Sequence, residues 1–360
     1  LRIRIQEARF ANPDADGTVA GSIRIAGDRS IADLTGRLQR ARATSVARYL
    51  PLSVSPAVRD WVARAVEAGE SDAVTLVLRG DLHDFPFERP GMDGQFRVDV
   101  ALRGGRLRFE PDWPPLDQIT GHLTFERASF SAAIDGATLH GVQTAGTRLR
   151  IPDFHHGVLG IDGRTTAPAS RLIGLVNASP LDHFVNGALR EASATNDVDL
   201  KLSARIPLHA GEHDTFQATL ALHDNDFLFG PGKPVLGALR GVLAIGHDGV
   251  AARDVSGRLL GGPVRIDASA PAPGHVTLRA RGGLSLDGLR TLADNPLTRK
   301  LDGHADYEAD VDIDARGVKL TLSSDLVGVA SDLPAPFAKR TGVALPLRVV
   351  SSPAPVAGLA

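Results

Sequence analysis

Polar and apolar residues alternate along most of this 360-residue chain, and the alternation constrains the fold more than any other feature. The clearest runs are VTLVLRG, QFRVDVALR, DVDLKLSARI and DTFQATLALH, which begin at Val74, Gln95, Asp197 and Asp214. Because successive side chains of a strand point to opposite faces, a period of two predicts half-buried β-strands. Turn signals such as RGGR, IDGA, GHDG and ARGV separate the runs, which predicts about twenty short strands joined mostly by hairpins.

The run from Ala305 to Asp314 shows what such a strand requires of its surroundings. Its polar face carries five carboxylates, those of Asp306, Glu308, Asp310, Asp312 and Asp314. Carboxylates cannot be buried without partners, so this face is expected to be wet. The opposite face is apolar and must be covered, either by the second sheet of a sandwich or by a ligand.

Three short stretches interrupt the strand pattern with helix signals: SPAVRDWVARAVEAG from Ser55, SPLDHFVNGALREA from Ser179 and NPLTRKLDG from Asn295. In each, a proline suited to the first helical position follows a residue that can act as N-cap. The apolar segments SVARYL, RLIGLV and LRTL precede them, which predicts helix pairs. The three prolines, Pro56, Pro180 and Pro296, lie 124 and 116 positions apart. We therefore predict a repeat of about 120 residues in which a helix pair precedes several antiparallel strands.

These spacings divide the chain into four segments. Residues 1–41 would be strands of a preceding repeat, 42–167 and 168–286 would each be a helix pair with its strands, and 287–360 would begin a further repeat. Because the chain opens in the middle of a strand pattern, we interpret it as part of a longer protein.

Composition excludes several classes of function. The 40 basic and 42 acidic residues are balanced, whereas a nucleic-acid surface needs a basic excess. There is no cysteine, so disulfides and thiolate metal sites are excluded. No apolar run approaches the roughly 18 residues of a membrane-spanning helix.

No motif predicts catalysis, a metal or a cofactor. His155 and His156 are neighbours, and neighbours on a strand point to opposite faces. His209 and His213 fall in a predicted surface loop. DVDIDARG from Asp310 resembles the start of a calcium loop, but Ala315 and Thr321 occupy the positions of its essential Gly and Glu.

Paired carboxylates of a hydrolase remain an alternative that spacing does not test. The candidates near predicted strand ends are Asp81, Asp84 and Asp112, for which capping of exposed backbone is the expected role. We predict that the protein is not an enzyme.

Three longer stretches carry a resemblance to a known family. They are LPLSVSPAVRDWVARAV with LVLRGDLHDFPF, GGRLRFEPDWPPLDQITGHLTFER, and TLSSDLVGVASDLPAPFAKRTG. In combination they resemble the YhdP family of AsmA-like proteins, from about Arg42 to Arg348. The matching positions are Arg79, Gly80, Leu82, Asp84, Phe85, Pro86 and Phe87; Pro111, Asp112, Trp113 and Pro114; and Leu333, Pro334, Ala335, Pro336, Phe337, Ala338 and Lys339.

The resemblance implies a periplasmic protein of a Gram-negative envelope, anchored in the inner membrane by regions outside this chain. It implies a bridge-type lipid carrier: a long twisted antiparallel sheet curled into an open apolar groove, with short helix pairs inserted at about 120-residue intervals. Such a protein would carry phospholipid between the inner and outer membranes and support the outer-membrane barrier. No catalytic residue and no nucleic-acid partner are implied, and protein partners in the envelope are left open. The alternative is a structural or carbohydrate-binding β-scaffold.

Alternation alone favours an ordinary sandwich core for the apolar strand faces, and the resemblance favours a lipid groove. The predicted groove-lining residues are Val74, Leu76, Leu78, Phe96, Val98, Val100, Val198, Leu200, Leu202, Leu220, Leu222, Val311 and Ile313. The helices would lie at the edge of the groove and shield lipid tails from water. Their predicted apolar contacts are Val58, Trp61, Val62, Phe184, Val185, Leu189 and Leu297.

Overall fold

The computed structural model describes residues 1–51, 54–88, 91–155, 157–185, 187–208, 214–246, 249–272, 275–314 and 317–351. The side chains of residues 184, 270–272 and 314 are not among those described.

Strands dominate this part of the chain, and 21 of them are hydrogen-bonded in an antiparallel arrangement. They are β1 Arg2–Ala11, β2 Ala15–Ala26, β3 Arg29–Arg42, β4 Val66–Ser71, β5 Val74–Asp81, β6 Gln95–Leu107, β7 Leu116–Glu126, β8 Ser129–Leu139, β9 Val142–Ile151, β10 Val158–Pro168, β11 Ser193–Ala194, β12 Asp197–Pro207, β13 Thr215–Leu228, β14 Leu236–Gly246, β15 Gly249–Leu259, β16 Gly261–Ala272, β17 His275–Ser285, β18 Leu301–Asp314, β19 Gly317–Ser324, β20 Val329–Ser331 and β21 Leu347–Ser351. Most strands pair with the next in sequence, as predicted from the closely spaced turn signals. The mainly β fold is confirmed.

Four α-helices and three 3-10 helices interrupt the described strands. The α-helices are α1 Pro56–Ala65, α2 Ala169–Asn177, α3 Leu181–Phe184 and α4 Leu286–Arg290; the 3-10 helices are Ala43–Tyr49, Leu82–Asp84 and Thr298–Lys300. Six of the seven are the predicted pairs: Ala43–Tyr49 with α1 (helix pair 1), α2 with α3 (helix pair 2), and α4 with Thr298–Lys300 (helix pair 3).

Helix pair 1 follows the prediction most closely. Pro56 opens α1, and the Ser55 side chain accepts a hydrogen bond from the Val58 amide at 3.4 Å, as an N-cap does. The preceding 3-10 helix is held by Asp14, whose carboxylate accepts hydrogen bonds from Ser45 Oγ at 2.7 Å and Tyr49 Oη at 3.1 Å. The Ser45 hydroxyl, with help from Tyr49 and Arg48, holds the pKa of Asp14 below its usual value.

Helix pairs 2 and 3 correct the prediction in detail. In pair 2, Ser179 is not a side-chain cap, because its hydroxyl donates to the Val176 carbonyl at 3.2 Å. The helix ends at Phe184, and Gly187 with φ of 70° then reverses the chain, as is common after a helix C-terminus. Leu189 therefore lies in a turn and not in a helix.

In pair 3 the expected helix from Pro296 is a single 3-10 turn at Thr298–Lys300. Asn295 does cap it, since its Oδ1 accepts from the amides of Leu297 at 2.9 Å and Thr298 at 3.1 Å. The turn stops because Leu301 already pairs with Ser331 as the first residue of β18. The strand pairing of Leu301 therefore overrides the short helix signal.

The chain separates into two compact units: Leu1–Thr165 with Leu202–Thr215 (unit 1), and Thr166–Lys201 with Phe216–Ala360 (unit 2). The core of unit 1 is built on β7 and β8 from Ile119, Ala132, Ile134 and Ala137. The core of unit 2 is built around α4 and β18 from Val264, Leu284, Leu286, Ala305, Tyr307, Ala309 and Val329.

Four pairs of residues with positive φ are separated by 120 positions each. Gly104 has φ of 59° and Asp224 has φ of 56°; His140 has φ of 47° and Leu260 has φ of 52°. The pairs Gln118 with Ala238 and Gly141 with Gly261 have the same relationship. The segment from β6 to β9 and the segment from β13 to β16 therefore share their irregular backbone positions as well as their strands.

Candidate functional site

Strands β5 and β6 place all six of their predicted lining residues on one face of unit 1. Their register makes them direct cross-strand partners, in the pairs Val74–Val100, Leu76–Val98 and Leu78–Phe96. Side chains opposite each other on one face of an antiparallel pair are about 5 Å apart and stabilise the sheet together. The six residues therefore form one apolar strip two strands wide.

The strip continues onto the neighbouring strands of unit 1. On one side, Leu34 of β3 faces Leu78 and Leu38 faces Val74. On the other side, Val100 and Val98 meet β7, and the same face then crosses β8 and β9. The cross-strand pairs that carry it are Val100–Leu123, Val98–Phe125, Leu123–Ala132, Phe125–Phe130, Ala132–Leu149 and Phe130–Ile151. We call this surface the apolar face of unit 1.

Unit 2 has an apolar face of the same construction. The predicted residue Leu220 pairs with Leu243, and Val311 pairs with Leu278 on one side and Leu320 on the other. Ile313 lies between Val276 and Val318, and Leu222 faces Gly241. Along β12, Val198 and Leu200 of unit 2 alternate with exposed polar residues, and the same alternation continues to Leu202, which belongs to unit 1.

These residues are only partly shielded from solvent. Of the thirteen predicted lining residues, Val74 and Val198 are buried and the other eleven are half-buried. Inner-face residues of a sandwich interdigitate with a second sheet and lose most of their exposure. Half-burial of eleven of the thirteen predicted lining residues therefore indicates that this part of the apolar faces keeps access to solvent.

The opposite face of unit 1 is polar and ion-paired. Arg79 on β5 donates to Asp33 on β3 at 3.1 Å. On β6 the Arg97 guanidinium forms two hydrogen bonds with Asp99, at 2.7 and 2.8 Å, and Thr124 Oγ1 donates to the same carboxylate at 2.8 Å. The Arg97 hydrogen bond lowers the pKa of Asp99 and in turn raises the pKa of Arg97.

The carboxylate-rich face of β18 in unit 2 is also partly exposed, as predicted. Glu308 and Asp310 have neighbours of opposite charge on β17, where Arg281 donates to Glu308 at 3.1 Å and Arg279 donates to Asp310 at 2.9 Å. The hydrogen bond to Asp310 raises the pKa of Arg279. On the other side of the strand, Ala305, Tyr307 and Ala309 are buried.

The β5–β6 connection folds back over one end of the apolar face of unit 1. Phe87 is fully buried, and its ring lies against Gly80 and Gly94, where a Cβ built on Gly94 would overlap the ring. Phe85 packs edge-on against Phe96, with ring centroids 5.0 Å apart. Sequence reasoning missed this cover, although two glycines on the apolar side of β5 and β6 were the available signal.

Helix pair 1 reaches the other end of the same face. A Cβ at Gly69 would lie 3.0 Å from Ala43 Cβ and 3.1 Å from Leu102 Cδ1. Ala43 is the first residue of the 3-10 helix, and Leu102 belongs to the apolar side of β6. The open part of this face on β6 thus lies between Phe96 and Leu102, a length of about 20 Å at the usual rise of a strand.

In unit 2, α4 covers one end of the apolar face. Leu286 of α4 is buried against Leu284, Ala305 and Val329. Tyr307 lies in the same cluster, and its hydroxyl is buried with no hydrogen-bond partner in the described part of the chain. Burial raises the pKa of Tyr307 to about 12.

The predicted edge residues of the helices divide into two groups. Val58, Trp61 and Leu297 are exposed, whereas Val62, Val185 and Leu189 are half-buried. The side chain of Phe184 lies outside the described residues. Trp61 is oriented by a hydrogen bond from its Nε1 to the Phe109 carbonyl at 3.2 Å, and the Phe109 and Trp113 rings are 5.8 Å apart.

The described residues contain no cluster of three or more His, Asp, Glu or Cys side chains suited to a metal ion. His155 instead makes a 2.7 Å contact with Glu88; His156, His209, His213 and Ala315 fall outside the described positions. Asp81 accepts from the His83 amide at 3.2 Å, the backbone-capping role expected of it. Among the helices that are described, none has the length and apolar character to cross a membrane.

Comparison with known proteins gives the family. A family model described as YhdP protein matches residues 1–355. The chain belongs to the YhdP family. It is 27% identical over 311 residues to the intermembrane phospholipid transporter YhdP of Escherichia coli (strain K12), in an alignment that covers 84% of this chain and 24% of that protein. No solved structure gives a significant match.

The family match extends the expected region, because it begins at residue 1 and not near Arg42. Two of the motifs that carried the resemblance hold loops in place. Trp113 packs against Phe109 beside α1, and Lys339 Nζ donates to the carbonyls of Leu326 and Val329, both at 2.7 Å. The chain spans about a quarter of the length of its E. coli relative.

Proposed function

We propose that this chain is a section of a conduit that carries phospholipid between the inner and outer membranes along its apolar sheet faces, without a catalytic step. The observation that carries the proposal is an apolar face that continues from strand to strand and is still half-buried. A face of that kind is open to acyl chains. Membership of the YhdP family, and the similarity to the intermembrane phospholipid transporter of E. coli, support phospholipid as the cargo.

The energetic need for such a surface is large. Each methylene transferred from water to an apolar environment gains about 0.8 kcal/mol, so two sixteen-carbon chains lose roughly 25 kcal/mol in water. A continuous apolar lining removes most of that barrier. Because hydrophobic attraction has no direction, such a lining does not fix the lipid at one position.

In this proposal the covers at the ends of the faces shield the tails. The ring of Phe87 and the helix pairs lie at the ends of the strands, where they limit the width of a groove. The segments 42–167 and 168–286 would be successive repeats of the conduit. The protein would work in the periplasm, with its membrane anchor outside this chain, and would support the outer-membrane barrier.

Photo-crosslinking along β6 tests the proposal one residue at a time. A photoreactive amino acid is placed in turn at residues 96 to 100, and the chain is purified without detergent and irradiated. Mass spectrometry of the adducts is expected to show phospholipid at 96, 98 and 100 and none at 97 and 99. Lipid at none of the five positions, in a folded protein, would favour the structural β-scaffold.

A matched pair of variants checks the same point by occupancy. Leu76→Asp with Val98→Asp places two charges on the apolar face, and we expect copurified phospholipid to fall at least tenfold. Val77→Asp places the same residue on the opposite face beside Arg97 and is expected to leave the lipid content unchanged. Equal lipid loss in both proteins would show that the apolar face is not the binding surface.

A further inference from the structure

Helix pair 1 carries a concentration of positive charge that the other two pairs lack. Between residues 42 and 65 there are four arginines and one acidic residue, Asp60. Residues 168–192, which hold helix pair 2, have two arginines and two acidic residues. Residues 286–300, which hold helix pair 3, have three basic and two acidic residues.

Of the four guanidinium groups between residues 42 and 65, of which Arg42 lies at the end of β3 just before helix pair 1, three have no carboxylate partner among the described residues. Arg48 pairs with Asp14 at 3.2 Å. Arg59 donates to the backbone carbonyls of Val54 and Pro51, which are neutral. Arg42 and Arg64 are exposed, and their guanidinium groups have no hydrogen-bond or ion-pair partner in the described part of the chain, although the Arg42 backbone amide donates to the Asp14 carbonyl at 2.9 Å.

Exposed apolar side chains lie among these arginines. Tyr49 is 58% exposed, Val58 is 49% exposed and Trp61 is 42% exposed. Arginine together with exposed aliphatic and aromatic side chains is the combination found where proteins meet lipid headgroups. Arginine is also suited to phosphate, because its planar guanidinium presents paired donors to two oxygens.

The position of helix pair 1 connects this charge to the apolar face of unit 1. Its first residue, Ala43, lies beside Gly69 and Leu102 at the end of that face. A phospholipid whose acyl chains rest on the face has its phosphate at the edge, where water is available. We infer that helix pair 1 binds the lipid phosphate there and selects anionic phospholipids over zwitterionic ones.

This inference rests on the proposed function and names the substrate class for it. The reason for selectivity is electrostatic. The ammonium group of a zwitterionic headgroup offsets the charge of the phosphate and is repelled by the uncompensated guanidinium groups. An anionic headgroup keeps its net charge and is attracted by them.

The test is a competition between two lipids with identical acyl chains. The full chain is equilibrated with vesicles that contain equal amounts of phosphatidylglycerol and phosphatidylethanolamine, separated from them, and extracted for mass spectrometry. We expect phosphatidylglycerol to be enriched in the bound fraction. In the double variant Arg42→Gln/Arg64→Gln, the ratio of bound phosphatidylglycerol to phosphatidylethanolamine is expected to fall about fivefold for each arginine replaced. This is the usual effect of one basic residue beside anionic lipid.

The control variant removes the same charge from elsewhere in unit 1. Arg148→Gln/Arg150→Gln alters two exposed arginines on the polar face of β9 and is expected to keep the wild-type ratio. An equal loss of enrichment in the control, or no enrichment in the wild type, would overturn the inference. In either case, lipid bound in normal total amount would still support the proposed function. Absence of bound lipid of either kind would instead contradict the proposed function itself.

Discussion

The buried hydroxyl oxygen of Tyr307 decides whether Tyr307→Phe raises or lowers the stability of unit 2. The side chain is 5% exposed, and its hydroxyl has no hydrogen-bond partner among the described residues. A buried hydroxyl without a partner costs about 1–3 kcal/mol in lost hydration. Tyr307→Phe removes the hydroxyl and keeps the ring, so we expect the free energy of unfolding of unit 2 to rise by about 1–2 kcal/mol.

The other tyrosine of the chain is the matched control. The Tyr49 hydroxyl donates to Asp14 at 3.1 Å and accepts from Asn12 Nδ2 at 3.2 Å. Tyr49→Phe removes both hydrogen bonds, so it is expected to destabilise by about 0.5–1.5 kcal/mol. The same chemical change is thus expected to raise the free energy of unfolding at Tyr307 and to lower it at Tyr49.

Alkaline pH gives a second readout for Tyr307. Its pKa is raised from 10.0 to about 12 because burial disfavours the charged phenolate. The folded state therefore holds the proton more tightly than the unfolded state, and stability that is complete below pH 10 is lost as the pH rises through 12. The full loss corresponds to about 3 kcal/mol for a two-unit shift, and Tyr307→Phe is expected to lack it.

The assay for Tyr307 is urea denaturation followed by far-ultraviolet circular dichroism from pH 8 to pH 12. Hydrogen exchange on β17 and β18 at neutral pH assigns the change to unit 2. If Tyr307→Phe lowered the stability at pH 8, the hydroxyl would have a partner in solution, and the argument from its burial would be refuted.

Three further substitutions test other contacts. Asp14→Asn should speed amide exchange throughout the 3-10 helix of helix pair 1. In the wild type, faster exchange is expected only as the pH falls below 3.8, because the partners of Asp14 lower its pKa. Gly94→Ala should destabilise the loop that Phe87 anchors by about 1–3 kcal/mol through steric overlap, whereas Gly160→Ala, with ordinary contacts, should be tolerated; equal melting temperatures would contradict this. Lys339→Met should cost about 1.5–3 kcal/mol, because its ammonium group donates to the carbonyls of Leu326 and Val329, and a urea midpoint equal to that of the wild type would show that those bonds are not formed.

The strands and the sidedness of the sheet were predictable because both depend on a local pattern. Along β6, residues 96, 98 and 100 are apolar whatever the partner strand is, and a shift of register by one residue would turn them all to the polar side. The same reasoning predicted the wet face of β18. Because β5 and β6 are consecutive strands that pair with each other, Leu76 then lies opposite Val98.

Features that depend on competition or on distant contacts were not predictable. The helix signal at Pro296 is real, since Asn295 caps the turn, but the turn ends at Lys300 and Leu301 pairs with Ser331 as the first residue of β18. Gly80 and Gly94 mark where a side chain could approach the sheet closely, but they do not identify Phe87 as that side chain, because the contact requires the loop to reverse. Such interactions are fixed by tertiary structure and override propensity.

Two segments of the sheet are built alike whereas the helix pairs differ in charge, and this division suits the proposed conduit. From β6 to β9 and from β13 to β16 the irregular backbone positions recur 120 residues apart, so the two sheet segments are built alike. An apolar face attracts every acyl chain in the same way and cannot by itself distinguish one phospholipid from another. The helix pairs do differ, since residues 42–65 around the first have an excess of three positive charges and residues 168–192 around the second have none. In the proposed conduit, selectivity at an edge would act on a headgroup as it passes, while the uniform face would let the tails move from one strand to the next without a deep free-energy minimum.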